Sequence, residues 1–340
     1  MYRLYSNESV LLGLLLAAIL FITEIRQCSC SQASHPNSTT EGPKFNGIDL
    51  ELLTTVARCY KGRCQMTPEQ KKVYDDCSKR IVFGQKWSMP VAYKFDTNFA
   101  EKHRDNVRCA IKSIEAATCI RFKEVASDDL QPPLPYVRVK YSPNDCYKLE
   151  EYGTISDFFV VEAYIHPNCC TYVIALKLLL GVLGMVPPVL RPDRDDALVI
   201  NWRNVHLSDI CALKAINHNE YNSLSNYGGI KYDYDSILNI PAYVNGKDAN
   251  SPVIIPIPRG SVAVVISALE KLGKAEKLSP SDILWLNKKY CTDPSCKDRY
   301  YNCSLVALRG QCSKQTISTK CPTSCNACPI ISGPFAVKSM

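Results

Sequence analysis

Between residues 171 and 186 the chain places four leucines on one helical face. Leu176, Leu179, Leu180 and Leu183 fall at i, i+3, i+4 and i+7, the spacing of a core stripe. Val173, Leu178 and Val182 fill the other faces, so the pattern predicts a helix buried nearly all round. Gly184 stands where such a helix stops, with Pro187 and Pro188 beyond it. Lys177 interrupts the stripe, and the run of about fifteen residues falls short of the roughly 20 that cross a bilayer. A second helical period covers residues 98–117 and turns Val107, Ile111, Ile114 and Ala117 inward. Val91–Phe95, residues 120–125, Tyr136–Tyr141 and residues 157–165 read as strands. A last helix opens after Leu278: Ser279 caps it, Pro280 suits its first position and Asp282 its first turn. Strands precede the leucine helix and irregular sequence follows it, which predicts an α+β fold.

The N-terminal stretch has a different pattern. Residues 10–22, VLLGLLLAAILFI, form an unbroken apolar core behind Arg3. That is the length of a signal-peptide core rather than of a spanning helix. Residues 1–27 are therefore expected to be a secretory signal, leaving a secreted protein with no membrane span. Residues 28–80 read as a pro-segment. Its start, SQASHPNSTTEGP, is polar and turn-rich, and Lys79 with Arg80 forms a dibasic processing point at its end. Within it, Cys59 and Cys64 flank a short Tyr-Lys-Gly-Arg loop and are spaced to pair.

Composition narrows the function classes. Hydrophobic residues at 46% and charged residues at 21% describe a globular chain. The net charge of +7 is not gathered into a basic or aromatic-basic stripe, which speaks against nucleic acid as a partner. Eighteen cysteines place the protein in an oxidising compartment. Sixteen of them, an even number, remain if Cys28 and Cys30 leave with the signal. Asn37 and Asn302 head glycosylation sequons. Of the five histidines, His35, His103, His166, His206 and His218, no two are three or four residues apart, so none form a helical chelating pair. His166 lies closest in sequence to the leucine helix.

Several stretches carry a stronger signal. Residues 191–195 read Arg-Pro-Asp-Arg-Asp, residues 87–96 WSMPVAYKFD, residues 118–122 TCIRF, and residues 278–291 LSPSDILWLNKKYC. Together they resemble the astacin family of secreted zinc metalloendopeptidases, and the likeness runs over about residues 85–328. It implies a two-lobed, metzincin-type protease domain over residues 81–291. In the family the helix before the R-x-D-R-D string carries H-E-x-x-H-x-x-G-x-x-H. Aligned on Gly184 and the string, the zinc histidines fall on Lys177, Gly181 and Pro187, the catalytic glutamate on Leu178, and the glutamate after the third histidine on Pro188. A turn that lies beneath the metal in the family matches residues 232–240, with Leu238 for its methionine and Ile240 for its stabilising tyrosine.

These replacements remove the family's chemistry. Zinc ligands are lone-pair donors at about 2 Å, and bound water needs a base to take its proton. Glycine has no side chain, proline offers a hydrocarbon ring, and leucine holds no proton. Lysine binds metal only as the free amine, which costs about 4–5 kcal/mol at pH 7 from a reference pKa near 10.4. The expectation is therefore no metal site, no cofactor, no catalytic residue and no enzyme activity: a pseudoenzyme of the family, acting as an extracellular binding or regulatory protein for a protein or peptide. Residues 149–159 are the candidate sheet edge for holding an extended segment.

The resemblance also implies disulfides Cys119–Cys291 and Cys146–Cys169, with Cys170 a neighbour able to exchange with Cys169; Cys77, Cys109 and Cys211 stay unassigned. Residues 45–49, Phe-Asn-Gly-Ile-Asp, resemble the family's propeptide switch. The last six cysteines, with Asp298 and Gly310, resemble the ShKT module over residues 296–328, before a tail at 329–340. Its pattern implies Cys296–Cys328, Cys303–Cys321 and Cys312–Cys325. Such a module is too small for a core of its own and depends on those bridges. Toxins of this type carry a Lys-Tyr dyad where this chain has Ile317 and Ser318. Two alternatives stand beside the main reading: an active zinc metalloendopeptidase with atypical ligands, and an adhesion or channel-modulating protein acting through residues 296–328.

Overall fold

The structure, a computed structural model, describes residues 44–329 with breaks at 46–47, 78–81, 84–85, 127–133, 150, 153–159, 217–229, 245, 258–261, 293–294, 301, 304–305, 307–310 and 326. Two short strands, β1 (Lys44–Phe45) and β2 (Ile48–Asp49), pair antiparallel and lead into a helical hairpin, α1 (Leu50–Tyr60) and α2 (Pro68–Asp76). The Cys59–Cys64 bridge closes the turn between the helices. A capping box starts α2: the Thr67 hydroxyl accepts from the Gln70 N–H and the Gln70 side chain accepts from the Thr67 N–H, with Pro68 first in the helix.

The strand-rich lobe comprises β3 (Val82–Phe83), β4 (Val91–Phe95), α3 (Glu101–Ala117), β5 (Phe122–Glu124), β6 (Tyr136–Tyr141), β7 (Tyr147–Leu149), β8 (Glu151–Tyr152) and β9 (Val160–Ile165). One five-stranded sheet runs β5-β4-β6-β9-β7, parallel throughout except for β7, which is antiparallel to β9 at the edge. β3 pairs parallel with β8 outside that sheet. Alternation decides which side chains point inward. In β9, Val161, Ala163 and Ile165 are buried while Val160, Glu162 and Tyr164 are partly exposed. The leucine run forms α4 (Tyr172–Val182), which shares a core with α3 and the sheet.

The second lobe is built mainly of single 3-10 turns between residues 188 and 213, an antiparallel pair, β10 (Leu198–Ile200) with β11 (Ile254–Pro256), and two helices, α5 (Val262–Lys271) and α6 (Pro280–Tyr290). A short helix, α7 (Gln315–Lys320), lies among the C-terminal cysteines. Strands before α4 and irregular structure after it give the α+β organisation.

Local chemistry moves several boundaries from where periodicity puts them. The helix expected from residue 98 begins at Glu101. Phe99 is stacked 4.4 Å from the Tyr141 ring, and the Tyr141 hydroxyl accepts the Ala100 N–H, so those residues are held in a turn ahead of the helix. Ala110 rather than Ala117 completes its buried face. The strand expected over 120–125 is confined to Phe122–Glu124, because the Ile120 N–H is taken by the Thr118 hydroxyl at the end of α3.

Candidate functional site

The leucine pattern does what its spacing requires. Leu176, Leu179, Leu180 and Leu183 are all buried, as are Leu178, Gly181 and Val182, and each fully buried leucine contributes about 1.5–3 kcal/mol. The Thr171 hydroxyl accepts the Ile174 N–H at the start of α4. Gly184, at φ +83°, ends the helix. Its N–H bonds to the Gly181 carbonyl and that of Met185 to Leu180, the paired closure that a left-handed glycine permits. Two aromatic donors take further end carbonyls: Trp87 Nε1 bonds to Val182 at 2.7 Å and the Tyr290 hydroxyl to Leu183 at 2.8 Å. The opening and closing segments of the domain thus meet at the end of this helix.

Lys177 is the charged residue of that helix, and it is only partly exposed. Its Nζ lies 3.5 Å from the Asn239 carbonyl in the turn after Tyr232. Asn239 holds that turn closed, donating to the carbonyls of Asp233 and Tyr234 and accepting from the Tyr232 hydroxyl. Asp282 of α6 fastens it from below: its carboxylate accepts from the Ser236 hydroxyl at 2.7 Å and from the backbone N–H groups of Ile237 and Ser279, both at 3.0 Å. Leu238 is buried under this turn, and Ile240 leaves it toward an open pocket.

That pocket has a volume of about 410 Å³ and joins Pro187 and Ile240, two of the positions singled out from sequence, to Tyr147 of edge strand β7. Val189, Leu190, Val205, Leu213, Val244 and Val253 give it an apolar lining, to which Asp209 adds a charge. The arginine-aspartate string builds its wall. Arg194 is buried and donates to the carbonyls of Val189 and Leu213. Arg191 forms a two-pronged pair with Asp193 at 2.8 and 2.7 Å and donates to the Ile230 carbonyl. The string is a structural clamp on the cleft, a role the sequence motif does not state.

The residues at the family positions do not fit zinc. Gly181 and Pro187 bring no side-chain donor, and the Lys177 amine is bonded to a carbonyl. His103 bonds to the Tyr141 hydroxyl at 2.8 Å, His166 accepts the Asn168 N–H, and His206 is exposed. His35 and His218 lie outside the described residues. Among the described residues no three His, Cys, Asp or Glu gather as a metal would require.

Burial lowers the pKa of the Lys177 ammonium. With the folded pKa depressed, the destabilisation from its charge is present below that value and fades as pH rises toward the free-lysine range near 10.4. Lys177→Met is therefore expected to stabilise the protein by about 1 kcal/mol at pH 7. Urea denaturation should show that gain shrinking at alkaline pH.

The cysteines are joined as Cys59–Cys64, Cys77–Cys211, Cys119–Cys291, Cys146–Cys169, Cys296–Cys328, Cys303–Cys321 and Cys312–Cys325. Cys109 is also disulfide-bonded. Cys170 is buried with its thiol directed at the His103 carbonyl, 3.8 Å away. The Cys77–Cys211 bridge is not readable from sequence, where cysteine parity is the available hint. Asn302 is exposed, as a glycosylated side chain must be. Asn37, Cys28, Cys30, the signal stretch, Lys79 with Arg80, and most of residues 149–159 lie outside the described residues.

Comparison with known proteins gives this geometry a family. The model of the astacin peptidase family matches residues 80–291. Zinc metalloproteinase nas-11 of Caenorhabditis elegans is 31% identical over 253 residues, which is 72% of this chain and 41% of that protein. Zinc metalloproteinase nas-10 of the same animal is 31% identical over 251 residues, 72% of this chain and 44% of that protein. This chain thus spans under half the length of those two relatives. Among solved structures, high choriolytic enzyme 1, a hatching enzyme zinc-protease from Oryzias latipes, is similar at a TM-score of 0.49 with 21% identity, covering 60% of this chain and 92% of that one.

These findings correct the expectation that the chain is no enzyme. A match over the whole domain, with relatives named as zinc metalloproteinases, points to an enzyme. The error lies in letting one set of helix positions speak for the whole molecule. What those positions show is narrower: the family's own ligand set is not present at Lys177, Gly181 and Pro187.

Proposed function

We propose, since the chain belongs to the astacin family of peptidases, that it is a secreted protein that takes extended polypeptide segments into its cleft, with an apolar side chain seated between Pro187 and Ile240. The pocket carries this reading: its apolar lining suits an aliphatic or aromatic side chain, and Asp209 beside it favours a basic neighbour in the same peptide. The edge strand β7 supports it, because Tyr147 belongs both to that strand and to the pocket, and an extended segment adds to an edge through backbone bonds. The chain already uses this kind of pairing on itself, where β3 lies along β8 with Val82 opposite Glu151 and Phe83 opposite Tyr152. Seven disulfides among the described residues support an oxidising, extracellular setting. The three over residues 296–328 support reading that stretch as an ShKT-type module.

Fluorescently labelled peptides with one apolar residue beside a lysine or arginine provide the test. Ala212 is exposed at the pocket, so Ala212→Trp should block the opening without disturbing the core. Peptide affinity is expected to fall at least about tenfold, a change of about 1.4 kcal/mol, with the unfolding temperature unchanged. Unaltered affinity would rule out the pocket. The family match favours a second reading, a zinc endopeptidase with a ligand set other than residues 177, 181 and 187. Stoichiometric zinc together with chelator-sensitive cleavage of the same peptides is its signature.

A further inference from the structure

Sequence alone assigns the helical hairpin α1–α2 to a removable pro-segment, yet it is built into the second lobe by four kinds of contact. A covalent bond joins Cys77, just after α2, to Cys211, 134 residues later. Gln70 is buried at 1% exposure, and its side-chain amide donates to the carbonyls of Trp202 at 2.6 Å and Val205 at 3.0 Å. In return, the Trp202 N–H donates to the Cys64 carbonyl, and the Tyr60 hydroxyl to the Pro256 carbonyl at 2.7 Å. An apolar cluster places Val56, Cys59 and Cys64 against Ile255 and Val265. At the far end Lys214 Nζ lies 3.2 Å from the Cys77 carbonyl and over the Tyr74 ring, which meets Trp202 edge-on.

These partners are specific. Gln70 satisfies two carbonyls of the turn over Trp202–Asn204 and its C-cap Val205, and Val205 lines the cleft pocket. Release of the hairpin would leave those carbonyls and the Trp202 N–H without their protein partners and expose the apolar cluster to water. A hairpin tied by a disulfide also rebinds as an intramolecular group, at an effective concentration on the order of mM.

We propose that residues 50–77 are a permanent part of the folded protein, and that a cut between Cys77 and β4 yields two chains joined through Cys77–Cys211 rather than a domain freed of its pro-segment. Hydrolysis of one peptide bond there adds one water and separates two chain ends; it leaves the sulfur–sulfur bond untouched. The pocket beside Val205 therefore works with the hairpin docked, whatever it binds, and access to it is not gained by shedding this segment. The proposal is independent of the ligand argued above.

The test uses the full chain with a recognition sequence for a sequence-specific protease inserted between Lys79 and Arg80. After cutting, one species is expected on non-reducing electrophoresis and two on reducing electrophoresis. The cut protein should elute as a single species on size exclusion at nanomolar concentration, and its unfolding temperature should match that of the uncut form. A Cys77→Ser/Cys109→Ser/Cys211→Ser variant, which also lacks the bridge made by Cys109, cut in the same way, is expected to separate on non-reducing gels and to lose the hairpin on dilution. The proposal is overturned if the hairpin leaves the cut parent without reductant, or if peptide mapping pairs Cys77 with a cysteine other than Cys211. Should that variant not fold, electrophoresis and mapping of the cut parent decide the matter alone.

Discussion

Leu178→Glu is expected to cost about 5–7 kcal/mol at pH 7. Leu178 is 1% exposed in the packed core of α4, so a carboxyl placed there enters the fold protonated. Protonating a glutamate at pH 7 from its reference near 4.3 costs about 4 kcal/mol at 1.36 kcal/mol per unit, and the lost leucine burial adds about 1.5–3 kcal/mol. The sign with pH follows from linkage: a carboxyl whose folded pKa lies above its unfolded value gives a protein that gains stability as pH falls. The deficit should shrink by about 3.5 kcal/mol between pH 7 and pH 4, leaving little beyond the packing loss. Urea denaturation at both values checks it, with Leu178→Ala as the control that loses packing and gains no titration. A stable Leu178→Glu variant with a flat pH profile would mean that this side chain faces a wet cleft.

Much of this core is legible in the sequence because helical spacing is a local property. The stripe from Leu176 to Leu183, the stop at Gly184 and the cap at Ser279 depend on residues within a turn or two of one another. The parts that are not legible involve distant partners. Arg194 can be matched as a motif letter, but nothing near it in sequence says that its guanidinium is buried against the carbonyl of Leu213. Cys77 and Cys211 stand 134 residues apart, and an even cysteine count constrains parity and not pairing. The sheet order β5-β4-β6-β9-β7 likewise comes from long-range registers.

The candidate site shows the same division, with one lesson about inference. Pro187, taken from the alignment on Gly184, and Ile240, taken from the match of residues 232–240, both line the same pocket. The alignment does not show that Tyr147, forty residues before Pro187, closes the other side. It also leads too quickly from missing ligands to a missing activity. Ligand positions test one mechanism, while the fold that holds them is specified by the whole domain.

In sequence Asp282 reads as a first-turn acid that favours a helix start, yet it is a junction between the two ends of the second lobe. Its carboxylate is fully buried and receives the Ser236 hydroxyl and two backbone N–H groups. Asp282→Ala leaves those three donors in a dry interior, and at about 1–3 kcal/mol for each unsatisfied group, less than additive, the expected loss is about 4 kcal/mol. For a domain of this size that is roughly 8–16 °C in unfolding temperature. Asp282→Asn should recover most of it: the amide oxygen accepts both N–H groups, and the amide nitrogen donates to the Ser236 hydroxyl. The two variants therefore separate lost hydrogen bonds from lost charge.

Burial raises the Asp282 pKa, and the hydrogen bonds from Ser236, Ser279 and Ile237 only partly offset it. With the folded pKa raised, the parent protein should gain stability over the Asn variant as pH falls through that value, levelling off below the ordinary carboxylate range. The effect should reach the cleft, because the fastened turn carries both Asn239, which meets Lys177, and Ile240, which lines the pocket. Asp282→Ala is thus expected to weaken peptide binding even at a temperature where the protein stays folded, and Asp282→Asn to restore it. Binding that tracks neither variant would separate the turn from the pocket.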